Sequence, residues 1–209
     1  MSSTPSSPAD EAGTPRGLGN RGLGYLLLAT GLAGFLAAFD LAVEKFRLLT
    51  NPFYVPSCTV NEVLSCGSVM SSKQAELFGF PNPLLGIVGF TILLATSAVI
   101  LSGGTVKKPY WIGLQVGLTA AVVLVGWLIF QTLYRIGAVC PYCCVVWVAT
   151  ISAFWYASLH NIEYVPRGWW SRTTDFAMRN HGVILTLWLL AIAAITFERF
   201  WAPWDSIFV

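Results

Sequence analysis

The sequence predicts an all-α integral membrane protein that crosses the bilayer five times. Of its 209 residues, 56% are hydrophobic and 11% are charged, which is too few charged side chains to cover the surface of a soluble domain. Five apolar stretches also reach the length of about 20 residues that a helix needs to cross a hydrocarbon core ~30 Å thick. These stretches run over 25–46, 84–102, 111–134, 140–159 and 183–200.

The segments between and before these stretches divide the chain further. Segment 1–20 is rich in Ser, Pro and Gly, a composition typical of disorder. The first apolar stretch lacks a convincing small-residue cleavage site, so we interpret it as a retained span and not as a signal peptide. We therefore expect a disordered cytoplasmic tail over 1–20, a catalytic four-helix bundle over 21–160 with an outer loop at 47–83, and a unit over 161–209 that holds a cytoplasmic loop and the fifth span.

Lysine and arginine residues predict the orientation of the spans, because they are enriched in cytoplasmic loops. Segments on the side of the N-terminus carry Arg16, Arg21, Lys107, Lys108, Arg167, Arg172 and Arg179. Segments on the opposite side carry Lys45, Arg47, Lys73, Arg135 and Arg199. This modest bias predicts a cytoplasmic N-terminus and, with five spans, a C-terminus on the outer face.

Charged and polar residues also limit the function classes. The net charge is +2 and no lysine- and arginine-rich run could neutralise a phosphate backbone, so we predict no nucleic-acid partner. The spans contain few ionisable residues, which argues against a transporter. Asp40 and Glu44 lie near the outer end of the first span, where we interpret them as interfacial. Gln115 and Gln131 in the third span predict hydrogen bonds between helices.

The predicted orientation places all five cysteines at or near the outer face, the oxidising side, where disulfides persist. The most specific local pattern is Cys140-Pro141-Tyr142-Cys143 at the start of the fourth span. With Cys140 as the N-cap, Pro141 takes the first helical position, where its missing N–H costs nothing. The helix N-terminus lowers the pKa of a thiol placed there, and Cys143 lies on the same face three residues later.

This motif has three interpretations. It fits a redox dithiol that opens and closes a disulfide, a pair of packing cysteines, or half of a zinc site. The two histidines, His160 and His181, flank the loop on the opposite side of the membrane, so we predict no metal. Cys144 is the i+4 neighbour of Cys140, and spacing alone does not exclude it as the partner. We assign Cys143 to the redox pair and Cys144 to packing.

Cys58 and Cys66 form a second candidate pair, with seven residues between them in the outer loop. A structural disulfide that staples the loop is one interpretation. The other is an electron relay, because both pairs lie at the same membrane surface and a thiolate of one pair can attack a disulfide of the other. The pattern alone leaves both interpretations open.

Together with two further segments, these cysteines resemble the vitamin K epoxide reductase family, in particular its bacterial homologues. The resemblance covers about 22–159 and rests on four elements that occur in one order. They are the Cys58/Cys66 pair, SCGSVMSS at 65–72, NPLLG at 82–86 and CPYC at 140–143. The resemblance implies a four-helix transmembrane bundle around a quinone (menaquinone or ubiquinone), with a fifth transmembrane helix outside it.

The resemblance also implies the activity, a quinone-dependent thiol oxidoreductase that generates disulfide bonds in exported proteins. Cys58 would exchange with a thioredoxin-fold partner, Cys66 would pass electrons to Cys140, and Cys143 would face the quinone. Because the chain ends at Val209 without a fused thioredoxin-like domain, we expect the partner to be a separate periplasmic or extracytoplasmic protein. The implied location is the bacterial inner membrane, with the active site on its outer face.

Several residues are candidates for contact with the quinone. The asparagine that lies near the quinone carbonyl in the family corresponds to Asn82, which also suits the N-cap of the second span. Trp147 stands where animal members carry a quinone-contacting tyrosine, and its lack of a phenol argues against epoxide reduction. Phe78, Phe80 and Leu84 are further candidate walls of the pocket, with ordinary apolar packing as the alternative for each.

Three features complete the sequence-based interpretation. Segment 73–78 is expected to form a short amphipathic helix that caps the site. The fifth span is expected to pack outside the bundle, with Trp201 and Trp204 in an interfacial belt. Two rival functions remain, namely quinone or quinone-epoxide reduction as the main role, and a non-enzymatic membrane protein whose cysteines staple the outer loop.

Overall fold

The computed structural model describes residues 20–51, 53–61, 63–162 and 171–205, and within these ranges the chain is mostly helical and contains no β-strand. The helices are α1 (Asn20–Thr50), α2 (Cys66–Met70), α3 (Pro83–Leu101), α4 (Lys108–Gln131), α5 (Pro141–Ile162), α6 (Ser171–Arg179) and α7 (His181–Asp205). Five of them are long and apolar enough to cross a membrane. The prediction of an all-α, multi-pass membrane protein is therefore confirmed.

Some of the predicted features lie outside the described residues. They are the tail up to residue 19, the loop at 163–170, and the side chains of Arg172, Trp201 and Trp204.

The long helices are longer or shorter than the predicted spans by a few residues at their ends. α4 continues into a π-helical turn, Thr132–Ile136, which ends at Gly137. Glycine suits that position because its φ is +72°, in the left-handed region where a side chain is strained.

The first four long helices form one bundle. α1 packs along α3 and α5, and α4 packs on α5. Leu27, Leu93 and Ala153 are fully or almost fully buried where these helices meet. α7 lies outside this bundle against α5, where Trp155 Nε1 donates a hydrogen bond to His181 O at 3.0 Å. This arrangement agrees with the predicted four-helix bundle and additional fifth helix.

Small residues on α1 allow it to approach α3 closely. A β-carbon on Gly34 would collide with the ring of Phe90, and one on Gly31 would lie 3.1 Å from the Leu94 side chain. Close approach of this kind favours helix association in a membrane, where van der Waals packing replaces the hydrophobic effect. The two glycines therefore fix how α1 and α3 sit against each other.

Polar side chains join α4 and α5 at the end of the bundle away from the cysteines. Gln115 Nε2 donates to Ser158 Oγ at 2.7 Å, and Asn161 Nδ2 donates to Gln115 Oε1 at 3.2 Å. The predicted bridging role of Gln115 is thus confirmed, whereas that of Gln131 remains a prediction. Hydrogen bonds between helices are favourable where lipid offers no alternative partner.

The outer loop contains one short α-helix and one short 3₁₀ helix. α2 begins at Cys66, and the hydroxyl of Ser65 caps it by accepting a hydrogen bond from Ser68 N at 3.2 Å. The expected amphipathic helix over 73–78 is instead a short 3₁₀ helix, Lys73–Glu76. Its four residues make fewer than two turns, so the amphipathic pattern reflects one cavity-facing edge and one exposed edge.

Candidate active site

Backbone pairing holds the outer loop against the start of α5. Val139 N donates to Val63 O at 2.7 Å, and Ser65 N donates to Val139 O at 3.1 Å, in an isolated parallel bridge. Cys66 directly follows Ser65, and Cys140 directly follows Val139. The bridge therefore places these two cysteines side by side although 73 residues separate them along the chain.

The loop cysteines are joined by a disulfide, Cys58–Cys66, while Cys140 is a free thiol. Cys140 Sγ lies 3.1 Å from Cys66 Sγ. The exposed fractions are 8% for Cys58, 0% for Cys66 and 1% for Cys140. Thiol–disulfide exchange requires contact between a thiolate and one sulfur of a disulfide, and this arrangement supplies that contact at Cys66.

Cys140 occupies the predicted N-cap position of α5, since Cys144 N donates the first helical hydrogen bond to Cys140 O at 3.1 Å. The pKa of the Cys140 thiol is lowered, chiefly because the side chain of Cys143 donates a hydrogen bond to it, and the backbone N–H groups of Tyr142 and Cys143 add to the effect. Burial and the negative charge of Asp40 oppose the shift. The helix start thus favours the thiolate, the form that attacks a disulfide.

Cys143 and Cys144 point to different parts of the protein. Cys143 packs against the cluster that contains Cys66 and Cys140, and it lines a cavity. Cys144 packs against Leu133 and its neighbours in a separate apolar cluster. The geometry therefore pairs Cys140 with Cys143 and supports a packing role for Cys144.

The sulfur atoms of Cys58, Cys66 and Cys140 all lie within 4.8 Å of one another. Such a cluster invites comparison with a zinc site, in which thiolates are the ligands. Two of these sulfurs are bonded to each other in the structure, so only one thiol of the three is available to a metal. The cluster places one free thiol in contact with a disulfide.

A cavity of about 570 Å³ lies between α1, α3, α4 and α5 and under the 3₁₀ helix. Its walls are mainly aliphatic side chains and glycine. The polar residues that line it are Lys45, Ser72, Gln74, Asn82, Tyr110, Thr132, Cys143 and Thr150. Its size and largely apolar lining are typical of a site for a small organic molecule.

The predicted pocket residues divide into two groups. Asn82 and Trp147 line the cavity together with Cys143. Phe78, Phe80 and Leu84 do not line it, and 59%, 39% and 44% of their respective surfaces are exposed. These three side chains therefore lie outside the lining of this cavity, and their contact with a quinone stays a prediction.

Asn82 stands at the N-cap position of α3, but its side chain makes no capping hydrogen bond. Its Oδ1 instead accepts from Leu77 N at 3.1 Å, and its Nδ2 donates to Gln74 O at 2.7 Å. The alternative role as a side-chain cap is therefore wrong. The amide fastens the 3₁₀ helix and the following turn over the cavity, and one Nδ2 hydrogen remains outside these two bonds.

Two charged side chains near the outer end of α1, Glu44 and Lys45, are buried in the protein, although the sequence led us to interpret Glu44 as interfacial together with Asp40. Glu44 is buried and accepts hydrogen bonds from Tyr54 Oη and Ser57 Oγ, both at 3.2 Å, so it holds the segment just before Cys58. Asp40 Oδ2 is buried and has no hydrogen-bond partner among the described residues. Lys45 is also buried. Helical spacing could have predicted the burial of Glu44 and Lys45, because they share one buried face of α1 with residues 37 and 41.

Comparison with known proteins identifies the family. The sequence model described as the vitamin K epoxide reductase family matches residues 25–158, which comprise the four bundle helices and the outer loop. Among curated proteins, none matches the chain.

Proposed function

Because the chain belongs to the vitamin K epoxide reductase family, we propose that it is a quinone-dependent thiol oxidoreductase. It takes two electrons from a thioredoxin-fold partner and passes them through Cys58/Cys66 and Cys140/Cys143 to a membrane quinone. The partner, once oxidised again, forms disulfide bonds in exported proteins. Membership of the family supports the oxidoreductase class, and the geometry of the cysteines supports the route.

One observation carries the proposal. Cys140 Sγ lies 3.1 Å from the sulfur of Cys66, while its helical neighbour Cys143 lines the cavity. A continuous path of sulfur atoms therefore runs from the outer loop to a site inside the bundle. A disulfide that only staples the loop would need no free thiol in contact with it.

The thiol chemistry follows from this order of residues. The partner's dithiol reduces Cys58–Cys66 and leaves with the disulfide. The Cys66 thiolate then attacks Cys140 in a Cys140–Cys143 disulfide, and Cys143 departs as the thiolate. Cys58 attacks Cys66, which releases Cys140 and restores the loop disulfide. Cys58–Cys66 oxidised with Cys140 and Cys143 free, the state seen in the structure, is the one reached after this transfer.

The cavity fits the proposed quinone. Its volume of about 570 Å³ lies within the range of about 300–1,000 Å³ common for small-molecule sites. When bound, a quinone accepts two electrons and two protons, the amounts released when two thiols become one disulfide. Trp147 offers a flat apolar face, Asn82 offers an amide, and Cys143 is the thiol in the cavity wall. The residues are equally compatible with menaquinone and ubiquinone.

The proposed orientation places the cysteines outside the cytoplasm, in a bacterial inner membrane, where a separate thioredoxin-fold protein has access to Cys58. The bias of lysine and arginine towards the side of Met1 supports it. Cysteines introduced at Thr105 and Arg172 are expected to resist an impermeant thiol reagent in intact cells. Ready labelling of both positions would reverse the orientation.

The direct test combines purified protein, a short-chain quinone and a reduced thioredoxin-fold protein, with quinone absorbance as the readout. We expect the quinone to be reduced only when the reduced thioredoxin-fold protein is present. In Cys66→Ala, the reaction driven by the partner should stop, while a small dithiol that reaches Cys140 should still support reduction. If Cys66→Ala oxidises the partner at the wild-type rate, the relay is wrong.

A further inference from the structure

Lys45 is a buried cation that the relay does not use. Only 8% of its side chain is exposed, and its Nζ donates to Met70 O at 2.8 Å and pairs with Glu76 Oε1 at 2.9 Å. Burial of an ammonium group is costly even when it is paired, because the desolvation penalty can exceed the attraction between the charges. Lysine is almost never buried to this extent unless it is paired, and because a buried pair is weak evidence for stability, its burial needs another reason.

The position of Lys45 suggests that reason. It lines the cavity, and among the described lining residues it is the only cation. Met70, whose carbonyl it contacts, packs in the same cluster as Cys66 and Cys140, with Cys143 against that cluster. Lys45 therefore lies at the cysteine end of the cavity, where electrons would arrive.

The hydrogen bonds of Lys45 leave it able to contact a ligand. A lysine ammonium has three N–H donors, and the contacts to Met70 and Glu76 use two of them. Glu76 is 41% exposed and belongs to the 3₁₀ helix, so the counter-charge is partly screened by water. The ammonium itself is held away from water, where its charge acts most strongly on a neighbour.

We propose that Lys45 contacts the head group of the quinone and stabilises negative charge on its oxygen. This inference rests on the proposed function. It places the contact with Lys45 at the end of the cavity that Cys143 also lines. Preorganised charge in a dry site is the usual means by which an enzyme stabilises charge that develops on oxygen. Glu76 acts as the counter-ion that keeps Lys45 in place when the site is empty.

A purely structural role makes a different prediction. If the contacts of Lys45 with Glu76 and Met70 only tie α1 to the outer loop, removal of either charged partner should lower stability without changing which quinone the protein prefers. If the positive charge itself serves the ligand, removal of Lys45 should differ from removal of Glu76. The matched variants are Lys45→Met, which keeps length and removes charge, and Glu76→Gln, which breaks the pair and keeps the cation.

Ligand affinity separates these roles without reference to turnover. The probes are a hydroxynaphthoquinone that is anionic at neutral pH and the matched neutral naphthoquinone, titrated into the purified protein by calorimetry. We expect the wild type to prefer the anion by about tenfold, because one hydrogen bond between charged groups is worth about that factor. Lys45→Met should lose this preference while its affinity for the neutral quinone stays the same, and Glu76→Gln should keep it.

Turnover gives the second readout. Lys45→Met should slow quinone reduction by about 100-fold, as for loss of one preorganised donor, while exchange between the partner and Cys58–Cys66 continues. Lys45→Arg should restore most of the rate because it restores the charge. An unchanged anion preference in Lys45→Met, equal losses in Lys45→Met and Glu76→Gln, or a wild type that binds both probes equally would each overturn the role of Lys45. A wild type that binds neither probe and reduces no quinone would instead overturn the proposed function.

Discussion

The two ends of the helical bundle use their polar side chains differently. At one end, Gln115, Ser158 and Asn161 bond to one another and to backbone carbonyls across α4 and α5. At the other end, Asp40 has a buried oxygen without a partner among the described residues, and Lys45 is a buried cation in a cavity wall. The first end is satisfied internally and contributes to stability. The second end keeps unsatisfied capacity, which is typical of a functional site.

The comparison first predicts a complete loss of function at the cysteine end. Cys143→Ser should abolish quinone reduction, because no thiol remains in the cavity wall to complete the Cys140–Cys143 disulfide. Cys144→Ser is the matched control, since Cys144 packs in a different cluster, and it should keep most of the activity. Quinone absorbance in the purified variants measures both. The opposite result would assign the redox role to Cys144.

Asn82→Ala should slow quinone reduction by about 100-fold if the free Nδ2 hydrogen serves the quinone as a donor in a dry site. The same change removes two hydrogen bonds to the turn over the cavity, so we also expect the unfolding free energy to fall by about 1–3 kcal/mol. Asn82→Asp keeps the acceptor for Leu77 N but loses both Nδ2 hydrogens, one of which bonds to Gln74 O, so turnover and unfolding free energy are measured side by side in both variants. A destabilised Asn82→Ala with normal turnover would leave Asn82 only the role of fastening the turn.

The lowered pKa of Cys140 predicts how its reactivity depends on pH. In a Cys66→Ala background, alkylation of Cys140 should begin below the pH at which an ordinary thiol reacts, because more of it is thiolate. Adding Cys143→Ala should move the alkylation profile to higher pH, since the hydrogen bond from Cys143 is the largest cause of the shift. Rates measured by mass spectrometry over a pH series provide the test. If the alkylation profiles with and without Cys143→Ala coincide, Cys143 is not the cause of the lowered pKa of Cys140.

The smallest effects are expected at the opposite end. Gln115→Leu removes the hydrogen bonds with Ser158 and Asn161 and should lower the unfolding free energy by about 1 kcal/mol, since a hydrogen bond between membrane helices contributes about 0.6 kcal/mol on average. Quinone reduction and partner exchange should remain at wild-type rates. A large loss of turnover with intact folding would show that the two ends are coupled, and the comparison would then fail.

The sequence predicted the spans well and the cavity walls poorly, for one physical reason. An apolar stretch of sufficient length must cross the membrane, but inside it both the lipid-facing and the cavity-facing side chains are apolar. Phe78, Phe80 and Leu84 were candidate walls with ordinary apolar packing as the alternative, and they lie outside the lining of the cavity. Asn82 and Trp147, selected by resemblance to the family, do line it.

The sequence also failed to predict the contacts that the outer loop makes with α1 and α5. The burial of Glu44 and Lys45 depends on residues 54–57, 70 and 76 folding back over α1. No local pattern reports such contacts, and charges near the end of a span ordinarily reach water. The spacing of Cys58 and Cys66 likewise predicted that they form a pair, but it did not predict that Cys140 contacts this pair. The backbone bridge between Ser65 and Val139 brings Cys140 there.

The central claim is that electrons pass between Cys66 and Cys140, and a trapped intermediate tests it most directly. In Cys143→Ala, the Cys140 thiolate can attack Cys66 of the loop disulfide and release Cys58 as a thiol. No Cys143 remains to displace Cys66 from Cys140, and alkylation of the released Cys58 keeps the loop disulfide from forming again, so a bridge between Cys66 and Cys140 should accumulate. Peptide mass spectrometry under non-reducing conditions should detect it in Cys143→Ala and much less of it in Cys144→Ala. Retention of the Cys58–Cys66 disulfide alone, with Cys140 free in both variants under oxidising conditions, would contradict the relay.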